Sequence, residues 1–202
     1  MNYQKLLDVK LEEIVRGGKR PRLLLHACCA PCSSYVVEYL TEYFDTTLFY
    51  YNPNIYPADE YHKRGLQFEK LLSEAGRDTG LVVCDYTPDA FSDAVRSLES
   101  EPEGGTRCAV CFRLRLEKSA AYAKENGFDY FTTTLSVSPH KNSGLLNEIG
   151  GEAAQKHGVD FLFSDFKKKD GYKRSLVLSS EYDLYRQDYC GCKYSIRQHD
   201  AT

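Results

Sequence analysis

The chain has 202 residues, of which 42% are hydrophobic and 13% aromatic, and its formal net charge is −3. The length and composition predict one globular domain, residues 1–202, with a sizeable core. The small negative net charge cannot attract a polyanion such as RNA, so a polyanionic partner would have to bind local basic patches. The N-terminal segment carries charges throughout and no apolar run could span a bilayer, so we expect a cytoplasmic protein without a membrane partner.

Apolar and amphipathic segments alternate along the chain. The apolar segments are predicted to be buried strands because both of their faces are mostly apolar. They comprise residues 22–27, 46–51, 80–86, 128–135 and 159–166. The amphipathic segments are predicted to be helices, and they comprise residues 32–43, 58–75, 88–97, 107–126 and 141–157. Gly76, Gly127 and Gly158 lie where helices should end, since glycine readily adopts the left-handed terminal conformation.

This alternation predicts an α/β fold with a doubly wound, mostly parallel sheet and right-handed crossovers. The tail after Asp170 is rich in tyrosine and cysteine and does not continue the alternation. We expect it to pack back over the sheet as a C-terminal extension. Ligands of open α/β sheets bind outside the carboxyl ends of the strands. That rule predicts one binding mouth formed by residues 26–32, 52–56, 84–85, 132–140 and 164–165.

Three of the eight cysteines lie in HACCAPCSS, directly after the first predicted strand. Neighbouring residues of a regular strand point to opposite faces, so Cys28 and Cys29 can share a site only if the strand has ended. Pro31 favours the first helical position, which puts Cys32 in the first turn, where the helix dipole stabilises a thiolate. In a reducing compartment such cysteines indicate metal binding or catalysis rather than structural disulfides.

A second cluster, Cys108-x-x-Cys111, stands at the start of another predicted helix. Two-residue spacing allows both sulfurs to bind one centre, and spacing alone fits a structural zinc site and an iron-sulfur cluster equally well. The expected position at the ligand mouth favours a reactive, electron-carrying centre. Cys84 lies inside a predicted strand and is expected to be a small core residue.

Five motifs in this order resemble the QueH-type epoxyqueuosine reductases: LLLHACCAPCSS, YYNPNIYPADEYHKR, RCAVCFRLRL, TTLSVSPHKN and YRQDYCGCKYS. The resemblance runs from about Arg22 to Ser195. It implies reduction of epoxyqueuosine to queuosine at the wobble position of a tRNA with a GUN anticodon, without cobalamin and with an electron donor as a second partner. It also implies a fold like that of the PP-loop nucleotide α-hydrolases. HACCAPCSS stands in place of their Ser-Gly-Gly phosphate loop, so ATP binding is not expected.

The resemblance further implies a 4Fe-4S cluster, and the matching ligands are Cys28, Cys29, Cys108 and Cys111. Cys32 is then left over, and we expect it to bind an additional mononuclear iron that acts as a Lewis acid on the epoxide oxygen. Removal of that oxygen needs two electrons, whereas a cluster normally passes one at a time. Cys190 and Cys192 are therefore predicted to form a redox-active disulfide pair, the alternatives being further metal ligands or a tight turn.

An RNA substrate requires basic and aromatic groups that hold an unstacked nucleotide. The segment FKKKDGYKR is predicted to contact RNA through Lys167, Lys168, Lys169, Lys173 and Arg174. The segment RGGKRPR fits RNA contact and a solvated surface equally. Side chains that could stack on or bond a base are Tyr50, Tyr51, Asn52, Asn54 and Tyr56. Candidate proton donors at strand ends are His26, His140 and Asp165.

Two other functions stay open at this point. A tRNA sulfur transferase of the PP-loop type also combines cysteines with this fold, but it should need an ATP loop, which the sequence does not show. A zinc-stabilised RNA-binding module would explain the basic segments and the four matching cysteines. It would not explain Cys32 or the Cys190-Gly191-Cys192 pair.

Overall fold

A five-stranded parallel sheet forms the centre of the computed structural model, which describes residues 1–196. Its strands are β1 (Arg22–His26), β2 (Asp45–Tyr50), β3 (Gly80–Val83), β4 (Tyr130–Thr133) and β5 (Asp160–Phe161). Their order in the sheet is β3-β2-β1-β4-β5, and all four neighbouring pairs are parallel. The predicted doubly wound α/β fold is confirmed, with β1 in the middle of the sheet.

Seven α-helices connect and cover these strands within the described residues. They are α1 (Tyr3–Gly17), α2 (Ala30–Leu40), α3 (Ala58–Ala75), α4 (Pro88–Ala94), α5 (Thr106–Glu125), α6 (Ser143–His157) and α7 (Gly171–Glu181). Short 3₁₀ turns follow at Thr134–Val137 and Lys193–Ser195. The five predicted helices correspond to α2–α6, and Gly76 and Gly158 end α3 and α6 in the left-handed conformation as predicted.

The two faces of the sheet bury separate hydrophobic clusters. Alternate residues of β1 point to opposite faces, so that Leu23 and Leu25 pack with α1, α2 and α3 while Leu24 packs with α5 and α6. Helix α6 approaches β5 closely at Gly150, where a Cβ atom would lie 2.4 Å from the Phe161 ring. Helices therefore cover both faces, as a doubly wound sheet requires.

Two helices, α1 and α7, differ from the predictions. The prediction for the tail after Asp170 was wrong in part, because α7 begins there and packs mainly on α2 rather than on the sheet. Helix α1 buries Leu7 and Leu11, one turn apart, in the same cluster as Leu23. Within residues 1–196, no helix has the length and apolar character that a membrane crossing requires.

Candidate metal centre

The first three cysteines lie where the chain passes from β1 into α2. The strand ends at His26, before the cysteine pair as predicted, and Cys29 is the extended residue that precedes α2. Pro31 stands in the first turn of α2, which also contains Cys32. The local sequence thus brings three thiols to the carboxyl end of the central strand, next to a helix N-terminus.

The sulfurs of Cys28, Cys29 and Cys32 all lie within 4.8 Å of one another. Hydrogen bonds from Cys29 and Cys32 hold the pKa of Cys28 well below its usual range. The hydrogen bond with Cys28 conversely raises the pKa of Cys29 to about 12, and the same interaction raises that of Cys32. One thiolate is therefore favoured, and a soft cation would be needed for all three sulfurs to be deprotonated together.

Cys108 and Cys111 occupy the first turns of α5. The Gly104 amide donates to Cys108 Sγ at 3.2 Å, while Cys111 is buried beside Phe91 and Cys192. Among residues 1–196, the compact group of potential metal ligands contains Cys28, Cys29 and Cys32, and neither cysteine of α5 belongs to it. The three thiols of the first motif thus lie close enough to share one ion, while Cys108, Cys111 and Cys28 all lie near the same buried arginine, Arg115.

Arg115 connects the two cysteine motifs. Its guanidinium is fully buried, with Nε donating to the Cys111 carbonyl at 3.1 Å and Nη1 donating to Asn52 Oδ1 at 3.3 Å. Burial lowers the pKa of Arg115, but interactions with neighbouring cysteines, Cys111 first, outweigh it and raise the pKa above its ordinary value. Its Nη2 is buried without a hydrogen-bond partner among residues 1–196. These soft sulfur donors beside a buried cation fit an anionic thiolate-bound centre such as an iron-sulfur cluster.

A cavity of about 460 Å³ opens beside these sulfurs. Cysteines, basic side chains and two tyrosines form much of its wall: Cys28, Cys32, Cys190, Arg64, Arg115, His140, Lys141, Arg186, Tyr172 and Tyr189. The volume is in the range of small-molecule sites and can enclose a nucleoside. A larger open groove of about 670 Å³, beside α1 and Tyr39, contains no cysteine in its described lining.

Cys190 and Cys192 have different surroundings. Cys190 Sγ lies in the cavity wall, 2.8 Å from Lys141 Nζ, whereas Cys192 is buried against Cys111 and Phe91. Gly191 between them has φ +119°, and a Cβ atom there would lie 3.0 Å from Arg64 Nη1. Glycine is therefore required for this turn to approach α3 closely. The described chain contains all eight cysteines, each as a free thiol.

Comparison with known proteins gives the family. A model of the family described as epoxyqueuosine reductase QueH matches residues 23–198. The chain belongs to this family. It is 45% identical over 201 residues to "Epoxyqueuosine reductase QueH" of Streptococcus pyogenes serotype M1, covering 98% of this chain and 79% of the relative. The protein of the same name from Staphylococcus epidermidis is 42% identical over 201 residues, with 96% and 84% of the two chains covered.

The QueH resemblance predicted from the motifs is thus confirmed over nearly the whole chain. A third QueH protein, from Staphylococcus aureus, is 41% identical over 204 residues, with coverage of 98% of this chain and 85% of the relative. All three relatives are named as reductases. These names favour the reductase interpretation over the sulfur transferase and the zinc-stabilised RNA-binding module.

Of the candidate proton donors, His140 lines the cavity. His26 is fully buried, its Nδ1 2.9 Å from Thr133 Oγ1 and its Nε2 3.1 Å from the Tyr51 carbonyl oxygen. Burial lowers the pKa of His26 to about 4, so a neutral ring fits these two contacts. Asp165 accepts hydrogen bonds from Ser143 and Lys167 outside the cavity lining. His26 and Asp165 therefore have structural partners.

The candidate base-binding residues before α3 are mostly packing residues. Tyr50 is buried and donates to the Tyr61 carbonyl at 2.9 Å, and Asn52 donates to the Ala27 carbonyl at 2.8 Å. Tyr51 and Asn54 are also buried, whereas Tyr56 is exposed. None of the five belongs to the described cavity lining. The tyrosines that do line it, Tyr172 and Tyr189, are in the C-terminal extension.

The FKKKDGYKR segment carries mostly paired charges. Its ion pairs are Lys167–Asp165 at 3.0 Å, Lys169–Asp8 at 2.7 Å, Lys173–Asp170 at 2.9 Å and Arg174–Glu38 at 2.6 Å. Lys168 is exposed and forms no ion pair within residues 1–196. In the RGGKRPR segment, Arg20 donates to the Thr41 and Phe44 carbonyls and Arg22 to the Asn126 and Gly127 carbonyls. Both arginines therefore have a structural role at helix ends.

Four cationic residues of the cavity were not predicted: Arg64, Arg115, Lys141 and Arg186. Arg115 follows Cys111 by four residues, so the two share one face of α5, and this spacing was a usable signal. Cys84 is half-buried and packs on the cluster around Phe49, consistent with its predicted packing role. Burial raises the pKa of the Cys84 thiol to about 11.

Proposed function

We propose that this protein reduces epoxyqueuosine to queuosine in tRNA, at the wobble position of a GUN anticodon and without cobalamin. The observation that carries the proposal is one cavity whose wall combines Cys28 and Cys32 with Cys190 and Lys141. Two thiols proposed to bind metal, a thiol proposed to be redox-active and an amine thereby face the same volume. Membership of the QueH family supplies the substrate class.

The residues proposed to hold a 4Fe-4S cluster are Cys28, Cys29, Cys108 and Cys111. When bound, such a cluster supplies electrons one at a time at low potential. Cys32 lies within 4.8 Å of Cys28 and Cys29, and it is left over for an additional iron. Cys32 also faces the cavity, where that iron would meet the substrate.

Removal of one epoxide oxygen as water leaves an alkene and consumes two electrons and two protons. Closure of Cys190 and Cys192 from dithiol to disulfide releases two electrons and two protons, so the two half-reactions balance. An external thiol or another two-electron donor then returns the pair to the dithiol. Because the electrons and protons balance, we assign the redox pair to Cys190 and Cys192. Gly191 between them has a positive φ, and its freedom lets the turn adopt the geometry that closure requires.

The other side chains of the cavity bind the substrate and hold a proton. Burial lowers the pKa of Lys141, but the contact with Cys190 outweighs it and raises the pKa above its ordinary value. Lys141 Nζ is therefore protonated at neutral pH, beside the sulfur and in reach of a developing oxyanion. Tyr172 and Tyr189 provide aromatic faces on which an unstacked base can lie.

The test is anaerobic incubation with tRNA bearing epoxyqueuosine, dithionite as reductant and no cobalamin, followed by mass spectrometry of the nucleosides. We expect queuosine to appear with the iron-loaded protein and not with metal-free protein. Added cobalamin should not change the rate. Iron-loaded protein that leaves epoxyqueuosine unchanged under these conditions would disprove the proposed activity.

A further inference from the structure

The environment of Arg115 is unusual for a buried arginine. The side chain is 2% exposed, it donates to the Cys111 carbonyl and to Asn52, and it lines the same cavity as Cys28, Cys32 and Cys190. No carboxylate of residues 1–196 forms an ion pair with it, and its Nη2 has no hydrogen-bond partner in that part of the chain. The buried guanidinium thus shares its cavity with three cysteines and is ion-paired with no acid of the described residues.

Two other arginines provide the comparison. Arg64 is equally buried at 2% exposure, but its Nε lies 2.7 Å from Glu60 Oε1. Arg113 precedes Arg115 by two residues on the outer side of α5, half exposed and ion-paired with Glu152. An isolated buried charge is strongly unfavourable, and removal of one partner of a buried pair is destabilising. Arg115 therefore requires negative charge on the neighbouring sulfurs.

We propose that Arg115 is the counter-charge of the cysteine centre and raises its reduction potential. This inference rests on the proposed function for the identity of the centre. Reduction adds a negative charge to a centre that thiolates already make anionic, and a fixed cation beside the sulfurs stabilises the reduced state more than the oxidised state. Arginine suits this position because its guanidinium stays charged even when it is desolvated.

The first experiment measures the midpoint potential of the iron-loaded protein by a redox titration followed by EPR. We expect Arg115→Gln to lower the reduced-to-oxidised ratio at a given potential at least tenfold, which corresponds to about 59 mV for a one-electron couple. Arg115→Lys keeps the positive charge and should have a reduced-to-oxidised ratio close to that of the wild type at the same potential. The matched control is Arg113→Gln, which removes an outward arginine of the same helix and should leave the potential unchanged.

A second variant keeps Arg115 in place. Asn52 accepts the Nη1 hydrogen bond of Arg115, so Asn52→Asp puts a carboxylate of almost the same shape against the guanidinium. Because the new carboxylate neutralises the guanidinium charge, Asn52→Asp should lower the midpoint potential of the centre, as Arg115→Gln does. If circular dichroism shows that Arg115→Gln does not fold, the midpoint potential of Asn52→Asp is the test of the inference. An unchanged potential in the folded variant would overturn the inference.

A third measurement separates this inference from the proposed cofactor. Metal-free protein is titrated with zinc(II) alone, which requires thiolates but no iron-sulfur chemistry. Arg115→Gln should weaken zinc binding about tenfold, whereas Arg113→Gln should not. If wild-type protein holds no cluster but shows this difference, the cofactor assignment fails and the counter-charge stands. Equal zinc affinity in wild type and Arg115→Gln would overturn the counter-charge itself.

Discussion

Lys141 Nζ lies 2.8 Å from Cys190 Sγ, joining the segment before α6 to the C-terminal extension across the cavity. The Lys141 side chain is 10% exposed, and Glu103 lies 3.7 Å from its ammonium group. The contact distinguishes the two thiols of the extension, because Cys192 is buried among Cys111, Phe91 and their neighbours. Cys190 is thus the thiol of the pair that faces the substrate volume.

Lys141→Gln should slow alkylation of Cys190 by iodoacetamide at neutral pH. Hydrogen bonds to charged groups contribute about 1.5–3 kcal/mol, so we expect a decrease on the order of tenfold or more. Peptide mass spectrometry after timed quenching measures the rate at this cysteine. Lys141→Arg should restore part of the alkylation rate of Cys190. The control is Lys156→Gln, which removes a lysine from an exposed ion pair with Glu117 and should leave that rate unchanged. Equal rates in Lys141→Gln and wild type would contradict the role of the contact.

Cys190→Ser and Cys192→Ser should keep full iron and sulfide but lose turnover, because the proposed cluster ligands are elsewhere. A pre-reduced protein can still give a partial single-turnover burst. Thiol alkylation followed by mass spectrometry should find both the dithiol and the disulfide in the wild type. Purification of either variant without iron would instead make these cysteines ligands, and normal turnover in both would show that the electrons take another route.

Alanine substitution of a proposed ligand should abolish the cluster. Anaerobic wild-type protein should contain about four irons and four sulfides per chain, with more iron if Cys32 holds a further ion. The substitutions are made one at a time at Cys28, Cys29, Cys108 and Cys111. Cys84→Ala is the matched control, since its thiol packs on the Phe49 cluster, and it should retain iron and activity. Stoichiometric zinc without sulfide in protein kept from air would rule out the cluster.

Lys168→Gln should have the largest effect on tRNA affinity within the FKKKDGYKR segment. Its charge is exposed and unpaired among the described residues, whereas Lys167 and Lys169 already contact carboxylates. Loss of one phosphate contact should flatten the slope of log affinity against log salt by about 0.7 for a single-stranded loop. Filter binding over a salt series measures this slope. A slope unchanged in Lys168→Gln would make the segment a solvated surface.

Gly150→Ala should destabilise the protein although alanine is the better helix former. A Cβ atom at Gly150 would lie 2.4 Å from the buried Phe161 ring, and overpacking of this kind costs about 1–3 kcal/mol. Gly151→Ala is the control, because its Cβ would meet the more exposed Phe163 ring at 3.3 Å. Urea unfolding of both variants gives the comparison. Equal stability of Gly150→Ala and wild type would mean that α6 shifts freely on β5.

Much of the fold could be predicted because periodicity marks strands and helices that pack on a common core. The predicted boundaries were wrong where the extent of strand pairing, rather than the local sequence, sets the length of an element. The run over residues 159–166 forms a strand of two residues, since β5 is an edge strand that pairs with β4 over Tyr130 and Phe131. Helix α1 was missed because its charges obscure the small apolar stripe of Leu7 and Leu11.

The location of Cys28, Cys29 and Cys32 between β1 and α2 could be predicted from the sequence, because Pro31 favours the first turn of a helix. The charges around them could be predicted only in part. Helical spacing puts Arg115 on the same face of α5 as Cys111, but it does not show that this face is buried while Arg113 pairs with Glu152, since this depends on how α5 packs on the sheet. The pairing of Lys169 with Asp8 is equally invisible, because it joins residues at opposite ends of the chain.

The cavity wall is built from distant parts of the chain, with Cys28 near its start and Cys190 near its end. About 160 residues separate them, so at synthesis rates of 5–20 residues per second the ribosome delivers Cys190 roughly 8–30 s after Cys28. During that interval Cys28, Cys29 and Cys32 have no extension to cover them. The three thiols are therefore synthesised well before the segment that completes the cavity wall beside them.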